Sequence, residues 1–124
     1  MAGVRSSRNR STEWKLRSAF IRAGLKGWRV TASELTGNPD FIFSRKKVAV
    51  FVDGCFWHGC PKCYRRPASN RKYWDSKVAR NKTRDKQVNR DLRNDGWRVV
   101  RIWEHELRKP VRVLARIREA LAIV

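Results

Sequence analysis

Two acids, three thiols and two histidines carry most of the chemistry open to this sequence. Asp40 follows a Thr36-Gly37-Asn38-Pro39 turn, and Asp53 stands 13 residues further on, at the end of the apolar run Val48-Ala49-Val50-Phe51-Val52. If residues 40–43 and 47–52 pair as a hairpin across a turn at 44–46, the start of the first strand lies beside the end of the second. Both carboxylates then reach one edge of a sheet. Converging carboxylates form a hard oxygen site that suits Mg²⁺, which needs few protein ligands and keeps several waters. Such an ion polarises a phosphate and stabilises the leaving oxygen of a phosphodiester. Glu13, early on the preceding helix, is the candidate for a third acid. The plain alternative is that Asp40 and Asp53 cap strand ends at the surface.

The thiols make a softer site. Cys55, Cys60 and Cys63 fall within nine residues, and the Cys60-Pro61-Lys62-Cys63 step has the two-residue gap of a zinc knuckle. A closed tetrahedral site needs a fourth ligand, and the histidines are His58 and His105. His105 is the favoured ligand, because it ties a distant segment to the loop and so adds stability. With four positions filled, the zinc is structural; three reduced thiols are the alternative. His58 is then free to take a proton from an attacking water, unless it binds zinc itself or packs.

Charge points to the partner. The chain of 124 residues carries 30 Lys+Arg against 11 Asp+Glu, a net +19. Self-repulsion on that scale opposes compaction, and a polyanion relieves it. Nucleic acid is the first candidate, since each phosphate neutralised releases counterions. Generic RNA coating is the rival on charge alone. No stretch approaches the roughly 20 apolar residues of a membrane span, and the start, basic and polar, lacks a signal peptide's apolar run. A cytosolic setting is expected, where clustered cysteines read as metal ligands or free thiols. Phe56-Trp57 in a polar loop, and Tyr73-Trp74 at the head of a segment bearing Lys72, Lys77, Arg80, Lys82, Arg84 and Lys86, suggest aromatics that stack on or between bases. Core packing is the alternative for any one of them.

These residues must be positioned by a small set of elements. Residues 1–11 are polar and basic and read as a flexible arm. Ser11 or Thr12 can cap a helix starting near Glu13, with Trp14, Leu16, Ala19, Phe20 and Ala23 as its apolar spacing, ending near Gly24 or Gly27. Strands are predicted at 28–31, 40–43, 47–52 and 97–103. The third is apolar enough for a central strand buried on both faces. Residues 54–70 read as an irregular functional loop. Helices are predicted from 70 to about 94, with Trp74, Val78, Val88 and Leu92 as apolar points, and over 110–124 with Val113, Leu114, Ile117 and Leu121 inward. The order α-β-β-β-α-β-α describes an α/β sandwich: a mixed central sheet flanked by helices, in one domain spanning 1–124.

With these residues in view, the sequence resembles the very-short-patch-repair (Vsr) family of mismatch endonucleases from about Ser6 to Leu107. The resemblance runs through Arg8-Asn9 and Glu13, Asn38-Pro39-Asp40-Phe41, and the block from Val50 to Pro61. It continues through Tyr73-Trp74, Lys77, Asn81, Arg84-Asp85, Gly96-Trp97-Arg98-Val99 and Ile102-Trp103-Glu104. The run Asp-Gly-Cys-Phe-Trp-His-Gly-Cys over residues 53–60 is its most specific part. The resemblance implies a restriction-endonuclease-like core with a structural zinc. It also implies Mg²⁺-dependent nicking of one DNA strand 5′ to the thymine of a T:G mismatch.

By position, the resemblance makes Asp40 the principal metal-binding carboxylate and Asp53 a second active-site residue. It makes His58 the general base, with Glu13 supporting from the first helix. Cys55, Cys60, Cys63 and His105 fall on the zinc ligands, and Phe56, Trp57 and Trp74 on the aromatics wedged beside the mismatch. Lys77 and Arg84 are further DNA contacts. Some members carry His at the position of Asp53, which leaves open whether Asp53 binds metal or holds water. The expected partner is duplex DNA with a T:G mismatch, met by a monomer in the bacterial cytosol or nucleoid, with mismatch-repair proteins as further partners. The rivals are a Vsr-like site-specific nuclease of a homing or phage-restriction system and a zinc-stabilised DNA-binding module without catalysis.

Overall fold

The computed structural model of the protein describes residues 2–30, 35–55 and 59–122, with side chains from Thr12 onward. Its elements run α1 (Ala2–Arg22), β1 (Trp28–Val30), β2 (Phe41–Phe43), β3 (Val48–Asp53), α2 (Arg71–Asn94), β4 (Arg98–Trp103), a 3-10 turn (Glu104–Arg108) and α3 (Pro110–Ala122). The predicted order of helices and strands holds. The four strands form one sheet in the order β1-β2-β3-β4. β1, β2 and β3 are joined antiparallel, whereas β3 and β4 run parallel, with Val48 opposite Arg98 and Asp53 opposite Trp103. A parallel neighbour requires a crossover, and α2 is the helix that makes it.

Period-two alternation sorts the strand residues onto two covered faces. Phe41, Phe43, Val48, Val50, Val52, Val100 and Ile102 meet Leu16, Ala19 and Phe20 of α1 and Val113, Leu114 and Ile117 of α3. On the other face Ile42, Ala49 and Phe51 meet Val88 and Leu92 of α2. Burial on both faces is why β3 is apolar at every position before Asp53. Phe20 is the hub of an aromatic group, 5.1 Å from the Phe41 ring and 5.5 Å from that of Trp28. That group lies beneath the strand that Asp40 precedes. Ile117 is fully buried in this layer. Ile117→Ala should therefore lower unfolding free energy in urea by about 2–5 kcal/mol; a loss below about 1 kcal/mol would mean that the α3 layer collapses around the gap.

Several expectations are corrected. α1 begins at Ala2, not near Glu13, so the backbone read as a flexible arm is helical. The segment contains no proline to stop a helix, and Thr12, expected to cap, is instead buried within it. Trp14 is 61% exposed rather than inward. It lies two residues from Leu16, about 200° around a helix of 3.6 residues per turn, and so faces away from the sheet. β1 is assigned only to Val30, and residue 31 lies outside the described residues. No described helix is long and apolar enough to cross a membrane.

Candidate active site

Asp40 is placed by the turn before it and by the pairing with β3 after it. Before it, Gly37 adopts φ +80°, and a Cβ there would fall 2.5 Å from Val88 Cγ1, so the turn is pressed onto α2 where only glycine fits. After it, the ladder with β3 takes over: the Asp40 backbone N–H donates to the Val50 carbonyl at 2.9 Å. The side chain then folds back, and its Oδ2 accepts the Val52 backbone N–H at 2.7 Å. Oδ1 has no partner among the described residues. Burial pushes the Asp40 carboxyl up to about 6; the Val52 N–H opposes this, the charges of Asp53 and Glu13 add to it, and Arg101 opposes it. The hairpin expectation therefore holds in its main point, for Asp40 and Asp53 line one cleft, with Arg84, Asp85 and Arg101. Glu13, half-buried on α1, is near enough for its charge to be felt at Asp40.

Asp53 is not a bare carboxylate. It ends β3 with its side chain only 8% exposed, and Arg101 Nη1 donates to both of its oxygens, at 2.9 and 3.1 Å. Arg101 Nε donates to Asn89 Oδ1 at 2.7 Å, and Nη1 lies 3.6 Å from Asp85 Oδ1. The guanidinium lies over the Phe51 ring, 4.1 Å from its centroid. Arg101, Asp85 and Asn89 were not among the predicted site residues. A signal existed: Arg101 is a cation inside the apolar strand Val99-Val100-Arg101-Ile102, on the face that α2 covers.

The cysteine cluster follows from the parallel pairing. Asp53 and Trp103 are opposite one another at the strand ends, so the two chains leave the sheet side by side. Two residues further along each are Cys55 and His105. Within the loop, Cys60 N–H donates to the Cys55 carbonyl and Tyr64 N–H to that of Cys60, both at 2.9 Å, winding the three cysteines together. The 3-10 turn bearing His105 is fixed by Glu106, whose Oε1 accepts the Trp103 N–H at 2.8 Å and which pairs with Arg116.

His105 Nδ1 lies 3.3, 3.6 and 3.3 Å from the sulfurs of Cys55, Cys60 and Cys63, and all four ligand atoms are within 4.8 Å of one another. A tetrahedral zinc with Zn–S near 2.3 Å and Zn–N near 2.0 Å sets sulfur and nitrogen about 3.5 Å apart. The group thus fits a metal, and three sulfurs with one imidazole suit zinc. Burial, helped by the neighbouring Cys63 and Cys60 sulfurs and opposed by the His105 contact, pushes the Cys55 thiol up to about 12, a tendency that a bound dication reverses by stabilising the thiolate.

The DNA-facing expectations meet the structure unevenly. Lys77 is half-buried on α2 and Arg84 is exposed, lining the Asp40 cleft and donating through Nη2 to Asn81 Oδ1 at 3.2 Å. Trp74 is half-buried, edge-on to the exposed Tyr73 with ring centroids 4.9 Å apart. Phe56, Trp57 and His58 lie outside the described residues.

Over residues 1–65 the chain matches the family model described as DNA mismatch endonuclease Vsr. It is 57% identical over 98 residues to the type II nicking enzyme V.NaeI of Lentzea aerocolonigenes, covering 76% of this chain and 59% of that protein, so it spans less than two thirds of that relative's length. It is 37% identical over 123 residues to the type II nicking enzyme V.NmeDIP of Neisseria meningitidis serogroup C, covering 95% of this chain and 82% of the relative. With the DNA mismatch endonuclease Vsr of Escherichia coli it shares 35% identity over 105 residues, 83% of this chain and 66% of that one.

Proposed function

We propose that this chain, which belongs to the DNA mismatch endonuclease Vsr family, is a Mg²⁺-dependent endonuclease that nicks one strand of duplex DNA 5′ to the thymine of a T:G mismatch. The observation that carries the reading is Asp40: a half-buried carboxylate with one oxygen fixed by the Val52 N–H, lining a cleft with Asp53 and Arg84, in a chain of net charge +19. Asp40 is the residue to hold the ion. When bound, magnesium supplies positive charge against the scissile phosphate and its leaving oxygen.

The chain's own groups do the rest. The cations of α2, Lys77 and Arg84 among them, hold the backbone by neutralising phosphates. Phe56, Trp57 and Trp74 open the base stack beside the mismatch, at a cost of a few kcal/mol for each unstacked step. His58 takes the proton from the attacking water as its oxygen bonds to phosphorus and the P–O bond to the leaving strand breaks. Glu13 adds negative charge near Asp40, which strengthens the hold on a cation. Zinc at Cys55, Cys60, Cys63 and His105 would tie the segment that carries Phe56, Trp57 and His58 in sequence to the end of β4. Duplex DNA is the partner, met by a monomer in the bacterial cytosol, with mismatch-repair proteins beside it.

The names of V.NaeI and V.NmeDIP, type II nicking enzymes, favour a second reading, in which a particular flanking sequence is required. Labelled duplexes, perfectly paired or with a central T:G pair in varied flanks, separate the two, with and without Mg²⁺ and with Asp40→Ala alongside. A nick 5′ to the mismatched thymine, absent without Mg²⁺ and in the variant, is the expected result. Cutting of paired duplex in one flank would favour the site-specific nuclease, and salt-sensitive binding with no cut in any duplex would leave a DNA-binding module.

A further inference from the structure

Arg101 is held by contacts from two elements at once. Its guanidinium offers Nη1 to both oxygens of Asp53, Nε to Asn89 at 2.7 Å, and an Nη1 contact to Asp85 at 3.6 Å, with the Phe51 ring beneath. It stands on β4 directly across from Phe51, while Asp85 and Asn89, one helical turn apart, belong to α2. One side chain thus joins the end of β3 to the helix that crosses over it. A planar fork can satisfy acceptors in several directions at once, as a lysine ammonium on a flexible stem cannot.

We infer that Arg101 is a positioning residue of the cutting site: it takes Asp53 as its counter-ion, leaving Asp40 as the strand carboxylate that meets the metal. The inference rests on the nuclease reading above. Were Asp53 a magnesium ligand, the partly buried guanidinium held 2.9 and 3.1 Å from its oxygens would face a dication at close range. As a pair, the two charges cancel. The same group of Asp53, Asp85 and Arg101 also lines a second cleft, with Lys82, Lys86, Gly59 and Trp103. It is therefore the wall between the Asp40 cleft and a lysine-lined one. A wall that keeps its shape fixes how a DNA strand crossing both clefts sets a phosphate over Asp40.

The test uses full-length protein purified with zinc. Mn²⁺ binding to the free protein is followed by electron paramagnetic resonance, and the nicking rate and half-saturating Mg²⁺ concentration by strand cleavage. Asp53→Asn is expected to bind Mn²⁺ within about threefold of the parent, and Asp40→Asn to lose at least tenfold. Arg101→Lys should fold and bind Mn²⁺ as the parent does, yet nick at least tenfold more slowly at saturating Mg²⁺. Arg101→Met strands Asp53, so Arg101→Met/Asp53→Asn, which removes both charges, is measured beside it and should show the same split. Loss of Mn²⁺ binding in Asp53→Asn as deep as in Asp40→Asn would make Asp53 a ligand and overturn the inference, as would Arg101→Lys nicking at the parent rate. Parent protein that binds Mn²⁺ through Asp40 but cuts no duplex would overturn the nuclease reading instead, and parent protein that binds no Mn²⁺ would overturn both.

Discussion

Stripping the metal from the Cys55-Cys60-Cys63-His105 group is expected to unfold the protein. Structural zinc sites of this kind contribute on the order of 10 kcal/mol near neutral pH, comparable with the whole stability of a domain this size. The reliance should be severe here because the group closes the loop of residues 55–63 onto a segment more than forty residues away, at the ends of the two parallel strands. A strong chelator should abolish the cooperative melt, read by circular dichroism and tryptophan fluorescence, and zinc should restore it. Cys60→Ser, at the buried cysteine, and His105→Ala should behave as the chelated parent does. His105→Cys supplies a thiolate in place of the imidazole and should recover much of the loss, since zinc accepts either. A chelated protein that melts at the parent temperature would show the cluster to be three thiols and a histidine with no structural ion.

The second large effect is at Asp40, where a change that removes the proposed function should stabilise the metal-free fold. The carboxyl is held up at about 6 in the folded chain, against 3.8 for the free group. The folded state therefore prefers the protonated acid, and stability falls as pH rises from 3.8 through 6, after which the full cost is present. The shift corresponds to about 3 kcal/mol at pH 8 and about half of that at pH 5. Asn keeps an oxygen for the Val52 N–H without the charge. Asp40→Asn should thus be more stable than the parent at pH 8 without Mg²⁺, with the gap narrowing at pH 5 and also on adding Mg²⁺, which stabilises the parent alone. Urea melts of both proteins at the two pH values, zinc-loaded throughout, decide it. A variant less stable than the parent at pH 8 would mean that the ionised carboxylate supports the fold.

Much of this was legible in the sequence because it depends on local pattern. The alternation in Val48-Ala49-Val50-Phe51-Val52 is hidden, since every position is apolar, yet that very continuity signals a strand covered on both faces. The spacing of Asp40 and Asp53 across a short turn was enough to bring both acids to one cleft. Spacing also joined the three cysteines, and the wish for a fourth ligand singled out His105, but only the parallel register of β3 and β4 accounts for its arrival. Arg101 was missed because its role is wholly tertiary. Nothing within a few residues of it accepts its protons, and its partners come from the end of β3 and the middle of α2. Trp14 was misread because an aromatic residue near an apolar stripe looks like part of it until the angle around the helix is counted. The start of α1 was misread because basic and polar residues, which fit a loose arm, also tolerate a helix.

The single parallel pairing also sets an order of assembly. As the chain leaves a ribosome, Asp40, Asp53 and all three cysteines emerge well before residues 98–105, so the acids and the thiols exist for a time without Arg101 and without the fourth ligand. Neither cluster can close until β4 docks beside β3, and both close in that one event. A chain halted before β4 would expose two carboxylates and three loose thiols but hold neither a finished metal cluster nor a finished cleft. Closing of the sheet and arming of the site are one step, before α3 covers the face it packs on.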